Sequence, residues 1–400
     1  MESFKDAIRP CPVCGNGKVS VISKQYFELP SSHPLPPSWD VVSCPTCHFA
    51  YADTSALQET YDYYYSKFSK YEHNATSTGG GTTSTDRQRL EETANQIVKV
   101  LGDDESILDL GCANGGLLAA LKKIGLTLLT GVDPSISCTQ NTAKLGVETI
   151  TGSIFDHPLN GRKFSVVILC HVLEHIRDLQ TAAILLQELV ARDGYLYIEV
   201  PDASRYSGYS ESPFQDFNIE HINHFSYFSL SNLFASKGFV SVDQGVRDIS
   251  TPAGWVYPSI WCLFKLCQED TDFNDQWHQN PSLKVSLDEY TAKSLVQIEK
   301  INRILAPLVK SKKPVLIWGT GQLTLKLLVQ SILGGCNIIG FIDSNPGHHG
   351  RLLRGIEIFS PEILKNQHHS VIIGSLLHHK AIENLILANS PNSRDIIKFT

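Results

Sequence analysis

Apolar and polar positions along this chain fall into short blocks that alternate between two periods. The stretch 107–110 is an apolar run that ends on Gly111. Leu117, Leu118, Leu121 and Ile124 then recur at helical spacing, and Gly125 stops that helix. A second apolar run, 126–132, closes on Asp133. The same alternation continues with a helix over 136–145, a third strand ending near Ser153, and a fully apolar fourth strand over 164–169. A fifth strand follows over 194–201, then a helix over 230–238 and a strand over 239–246. Residues 250–310 read as connecting structure, with an amphipathic helix over 286–308 that ends near Pro307. From Pro314 the pattern of strand, glycine turn and helix begins again, and its second strand ends on Asp343. Strands alternating with helices predict an α/β fold built on mainly parallel sheets.

The first 56 residues carry a different pattern. Cys11-Pro-Val-Cys14 and Cys44-Pro-Thr-Cys47 are two C-x-x-C knuckles. Four thiolates at such spacing supply the tetrahedral sulfur cage that Zn²⁺ prefers, and an all-protein ligand set makes the metal structural. Free buried cysteines or a redox pair are the other uses of these residues, and His48 is a spare ligand. Residues 59–71 hold five tyrosines, more than a small core hides with every hydroxyl satisfied. Some are expected to line a polar pocket, or to pack the cysteine module onto the next domain. The polar, glycine-rich stretch 74–85 reads as a loop, either a lid or a linker, and Asp86 as the N-cap of a helix over 86–101.

The turn Asp109-Leu-Gly111-Cys-Ala113-Asn-Gly115 has the chemistry of a nucleotide cradle. Few Cβ atoms let backbone N–H groups approach a ligand, and Asp133 at the next strand end suits two ribose hydroxyls. A dinucleotide fingerprint has glycine where Ala113 stands. The form D-x-G-x-x-x-G resembles motif I of the class I S-adenosylmethionine (SAM) methyltransferases. By that resemblance Asp109, Gly111, Ala113 and Gly115 face the methionine end, and Asp133 with Pro134 takes the ribose. Ser153 and Ile154 would then hold the adenine. The segment after the fourth strand, C-H-V-L-E-H-I-R-D, resembles its counterpart in many small-molecule methyltransferases and singles out His171, Glu174 and His175. Strand carboxyl ends are where open parallel sheets bind ligands.

A second informative stretch is P-F-Q-D-F-N-I-E-H-I-N-H-F, 213–225, with Glu220, His221 and His224 among aromatics. A histidine titrating near neutrality suits proton removal from a carbon beside a carbonyl. The spacing E-H-x-x-H is not the helical zinc pattern. In the C-terminal domain Gly319 and Gly321 lack a third glycine, with Thr324 in its place, so that turn holds a nucleotide phosphate or serves only in docking.

Composition narrows the classes. With 42% hydrophobic and 19% charged residues the chain is globular, and a net charge of -7 gives no reason to expect nucleic-acid binding. The run 255–267 is the nearest to a membrane span but contains Pro258 and Lys265. Met1 to Pro10 has no apolar core of a signal peptide, so a cytoplasmic setting with reduced thiols is expected.

A four-cysteine module, a SAM domain with Glu-His in its late loop, and W-G-T-G, F-I-D-S-N-P and S-P-E near the end together resemble the sugar C-methyltransferase family. The resemblance implies an α/β chain with five parts: a zinc module at 1–56, a tyrosine-rich segment at 57–85, a class I SAM-methyltransferase Rossmann-like domain at 86–248, a helical connector at 249–310, and a smaller Rossmann-like domain at 311–400. It implies SAM and structural zinc as cofactors, and a TDP-4-keto-deoxysugar held between the central and C-terminal domains. His221 would be the base and Glu220 would orient the sugar. His175 and a tyrosine, Tyr65 before Tyr71, would hold the sugar and the enolate oxygen. Members of the family have a tyrosine where Asn218 stands. O- or N-methylation of a glycan or metabolite, an NAD-dependent oxidoreductase and a non-catalytic zinc scaffold are the alternatives.

Overall fold

The computed structural model describes residues 3–68, 80–102, 105–159, 161–251, 254–267, 277–389 and 395–400. Tyr71 and parts of the loops expected at 74–85 and 271–281 lie outside them. The chain divides into two units. The first comprises Met1–Val21, Val42–Tyr206 and Glu220–Ser286; the second comprises Ile22–Val41, Ser207–Ile219 and Leu287–Thr400.

The first unit is built on a seven-stranded sheet. In spatial order its strands are Phe239–Ser250, Val256–Leu266, Val190–Pro201, Phe164–Cys170, Ile107–Leu110, Leu129–Asp133 and Glu148–Thr151. The last five in this order pair in parallel. Val256–Leu266 runs antiparallel to both of its neighbours. Sequence reasoning had this stretch as connector and ended the central domain at 248. The structure corrects that: the strand is inserted beside Val190–Pro201, with Ile260 opposite Val200. It is buried along most of its length, so it shows no alternation of apolar and polar positions.

Two helix ends also differ from expectation. The helix expected to start at Asp86 is Ser84–Val98, and its N-cap is Thr83, whose hydroxyl accepts from Asp86 N. The Asp86 carboxylate instead accepts from Gly81 N at 2.7 Å and from Arg89. Pro307 does not end its helix, which runs Pro281–Ser311. Buried Leu287, Tyr290, Ile298, Ile301 and Leu305 mark one apolar face along it, and their burial outweighs the hydrogen bond that proline cannot donate.

The sheet of the first unit packs an apolar core that includes Leu108, Leu169, Ile198 and Phe264 on one side. Leu118, Leu121, Ile168 and Leu263 belong to a second cluster. No helix among the described residues is long and apolar enough to cross a membrane.

The second unit has its own sheet, in which Pro314–Trp318 pairs in parallel with Asn337–Ile342 and Ser370–Ile373. Ile356–Phe359 and Ile396–Ile397 extend it, also in parallel. Lys326, on the helix Gln322–Gln330, is buried at 2% exposure in this unit. Its ammonium donates to Gln25 Oε1 at 2.6 Å, to Phe214 O at 3.0 Å and to Phe217 O. It also lies 4.9 Å from the ring centroid of Phe27. Burial pushes this lysine well below its usual pKa. Phe214 has φ 52, a backbone state few side chains adopt, and its N–H is held by Ser294 Oγ at 3.0 Å. Lys326→Met is expected to take the donor from three buried acceptors and to lower stability by at least about 2 kcal/mol in denaturant unfolding. An unchanged midpoint and slope would show that these bonds contribute nothing net.

Candidate functional site

Five sheet strands of the first unit end on the same side, and a cavity of about 240 Å³ opens there. Asp109, Gly111, Ala113, Asp133 and Pro134 line it, from the first two strand ends. Ser153 and Ile154 line it after the third, and His171 and His175 after the fourth. Gly111 has φ 81, and a Cβ there would meet Val172 Cγ2 at 2.5 Å, so the bend admits only glycine without displacement. Gly115 does not line the cavity; it caps the helix Gly116–Lys123 at φ 76. A Cβ on Gly115 would meet Leu145 and Thr142 at 2.8 Å, which makes its role close packing of the turn.

Asp133 is tied into the bend. Its carboxylate accepts from Ala113 N and Ser135 N, each at 2.9 Å. Burial raises its pKa against these bonds. Asp109 is buried beside it, and burial with the Asp133 charge pushes Asp109 up to about 7. Two buried carboxyls that resist ionisation suit a ligand that brings positive charge.

The histidine segments are stitched to each other by buried polar bonds. Ile222 N donates to Glu174 O at 2.9 Å. The Asn223 amide donates to Leu173 O at 2.9 Å and to Ile176 O at 2.6 Å. The His175 Nδ1 lies 3.0 Å from Glu220 O and 2.9 Å from the Tyr65 hydroxyl. A carbonyl oxygen only accepts, so Nδ1 carries the proton. The His221 ring stands 5.1 Å from the His175 ring, and Tyr64 donates to Glu220 Oε1 at 3.0 Å. Tyr65, His175, Glu220 and His221 are thus brought together, with Tyr65 and His175 also on the cavity wall. His224 lies apart in the short strand Asn223–His224, paired with Ala50, its ring 6.1 Å from Tyr206.

His171 has φ 56 and a different setting. Its Nδ1 is 3.3 Å from Glu174 Oε1, and its Nε2 is 3.7 Å from Glu199 Oε1. Burial would lower its pKa, but the two carboxylates outweigh that and raise it to about 9. Glu199 is fully buried and receives Arg247 at 3.0 Å and the Tyr197 hydroxyl at 2.9 Å. Burial opposes its ionisation, yet His171 and Arg247 hold it down to about 2.

Sequence reasoning missed several wall residues. Arg89 reaches the cavity from the helix Ser84–Val98, its side chain 12% exposed and paired with Asp86 at 2.9 Å. Tyr257 comes from the inserted strand, and Gln58 and Asp62 from the tyrosine-rich helix Gln58–Phe68. A basic residue one turn inside a helix that precedes the glycine bend was the signal available for Arg89.

Two further places bear on cofactors. The sulfurs of Cys11, Cys14, Cys44 and Cys47 lie within 4.8 Å of one another. Cys11–Cys47 is 3.6 Å and Cys14–Cys44 is 3.4 Å. In a tetrahedral zinc cage with ordinary Zn–S bonds the sulfurs stand about 3.8 Å apart, so a small adjustment seats the metal. In the second unit, Thr324 Oγ1 donates to Gly319 O at 2.7 Å and to Gly374 O at 3.1 Å, which fills the place of a third glycine. Asp343 accepts from Thr320 N at 3.0 Å and meets His348 at 3.3 Å. Burial raises Asp343, but these partners hold it below the usual carboxylate range.

Residues 84–244 match the family described as "Methyltransferase domain", and residues 311–397 match the family described as "C2185-like, N-terminal". No curated protein matches the chain. Among solved structures, the chain is similar to a Burkholderia thailandensis 1,6-didemethyltoxoflavin-N1-methyltransferase, at 16% identity over 57% of this chain and 95% of that one, TM-score 0.41. It is also similar to a SAM-dependent methyltransferase of Methanosarcina mazei, at 16% identity over 44% and 98%, TM-score 0.39. A putative methyltransferase of Haloferax volcanii, solved with the Trm112 methyltransferase activator, is 15% identical over 46% and 93%, TM-score 0.38. The domain assignment rests on the family match and on the cavity geometry. A cationic ligand beside Asp109 favours its ionised form, so calorimetry of SAM binding near pH 7 is expected to show proton release. Asp109→Asn should abolish that release, and heats that do not vary with the buffer in the original protein would contradict it.

Proposed function

We propose that this SAM-dependent methyltransferase, with its methyltransferase domain at 84–244, methylates a carbon beside a ketone, most fittingly on a nucleotide-linked 4-keto-deoxysugar. The observation that carries the reading is the cluster of Tyr65, His175, Glu220 and His221 at the rim of the glycine-turn cavity. An O- or N-methyltransferase needs a base at a heteroatom. A base with a donor hydroxyl beside it, here His221 with Tyr65 held by His175, suits a carbon acid whose negative charge moves onto oxygen.

The cavity fits SAM in its charge pattern. Asp133 offers a carboxylate for the ribose, and Asp109 a second negative group on the methionine side. Arg89 supplies a cation for the methionine carboxylate. When bound, SAM supplies a methyl group made electrophilic by its sulfonium. His221 takes the proton from the carbon next to the ketone. The Tyr65 hydroxyl, positioned by His175, holds the oxygen on which charge gathers, and Glu220, oriented by Tyr64, holds a sugar hydroxyl. Most of the acceleration then comes from positioning and from donors fixed before the reaction begins.

The N-terminal cysteines serve in this reading as a structural zinc site. In the second unit, the turn at Gly319 to Gly321 is the candidate for a nucleotide phosphate.

His221→Ala is expected to bind SAM as before and to lose turnover about 10²–10⁴-fold, the contribution of a general base. Mass spectrometry of a nucleotide-sugar panel with isotopically labelled SAM identifies the product, and the original protein should wash solvent deuterium into the acceptor carbon. Methylation without any deuterium uptake would favour a heteroatom acceptor. Cys44→Ser is expected to lose the bound zinc, read by elemental analysis, and to lower the melting temperature. Full zinc content in that variant would exclude the cage.

A further inference from the structure

The face that Glu174, His175 and His221 turn toward each other is rich in electron pairs. Ligand atoms of all three residues lie within 4.8 Å of one another. His175 donates its Nδ1–H to Glu220 O at 3.0 Å, so in the neutral ring Nε2 presents a lone pair. That Nε2 stands 3.9 Å from Glu174 Oε1. Glu174 is 1% exposed, and its Oε2 has no hydrogen-bond partner. A buried carboxylate oxygen without a donor is costly unless a cation accompanies it. A histidine whose second ring nitrogen is fixed by a backbone carbonyl is also the arrangement found around metal-ligating imidazoles.

We propose that Glu174, His175 and His221 form a second metal site, which takes one divalent transition-metal cation when no methyl acceptor occupies the rim of the cavity. Two imidazoles and one carboxylate select the zinc, cobalt and iron class over magnesium and calcium. Three protein ligands leave positions open for water. The site differs from the cysteine cage in every ligand. Ligation consumes the lone pair that His221 needs as a base, so the metal-loaded and proton-accepting states exclude each other. Only that last consequence rests on the proposed mechanism. The imidazole of His171, 3.3 Å from Glu174 Oε1, competes with the cation for the carboxylate and limits its affinity.

The test uses the full chain with its cysteine site saturated by zinc, titrated with Co²⁺. The expected result is one further equivalent whose d–d spectrum shows nitrogen and oxygen ligation, without a sulfur charge-transfer band. Glu174→Gln and His221→Ala should each weaken that binding by more than about tenfold, while SAM binding by calorimetry shows that both variants are folded. The absence of a further equivalent would overturn the proposal, as would equal affinity in both variants. A charge-transfer band would assign the cobalt to cysteine and overturn it as well. Failure of the original protein to bind SAM would instead count against the proposed function and leave the cobalt result readable.

Discussion

Asn223 holds the site together. Its amide satisfies the carbonyls of Leu173 and Ile176, two buried acceptors that have to be paired as the chain leaves the fourth sheet strand. Its side-chain oxygen accepts from Arg9 at 3.0 Å, and Ile222 N closes on Glu174 O. The turn that carries Glu174 and His175 is thereby fixed against the segment that carries Glu220 and His221. Without this stitch the histidines would be two local features of the chain, not one constellation.

The same economy of buried polar groups shapes the cofactor cavity. Asp133 spends both oxygens on the backbone N–H groups of Ala113 and Ser135, so it locks the glycine bend while lining the cavity. Asp109 stands beside it without the room to share its charge, and its carboxyl holds a proton up to about neutrality. Arg89 is on the wall, and Glu199 gathers Arg247 and His171 into a buried network. A wall that carries both carboxyls and a guanidinium suits a zwitterionic, sulfonium-bearing ligand.

Much of the fold was legible in the sequence because its signals are local. The glycine bend, the acid at the next strand end and the helix between them are written within thirty residues, and each depends on backbone geometry that adjacent residue types dictate. The cysteine pairs are legible for the same reason, since thiol spacing is a property of the knuckle itself. The inserted strand Val256–Leu266 was not legible. A strand buried on both faces has no period to read, and the partner strands that bury it lie elsewhere in the chain. Pro307 misled for a related reason: its local preference lost to an apolar helix face whose packing no short window reveals.

The sequence by itself therefore determined the chemistry of the turn, the two C-x-x-C thiol pairs and the two histidine-bearing segments. Only the tertiary structure decided that His175 keeps its proton on Nδ1, that Arg89 faces the cavity, that Gly115 packs and does not line it, and that Asn223 clamps the site. The physical reason is range. Backbone conformation and thiol spacing are set by neighbours in the chain. A tautomer, a buried charge and a satisfied carbonyl are set by whichever distant group folding brings within about 3 Å.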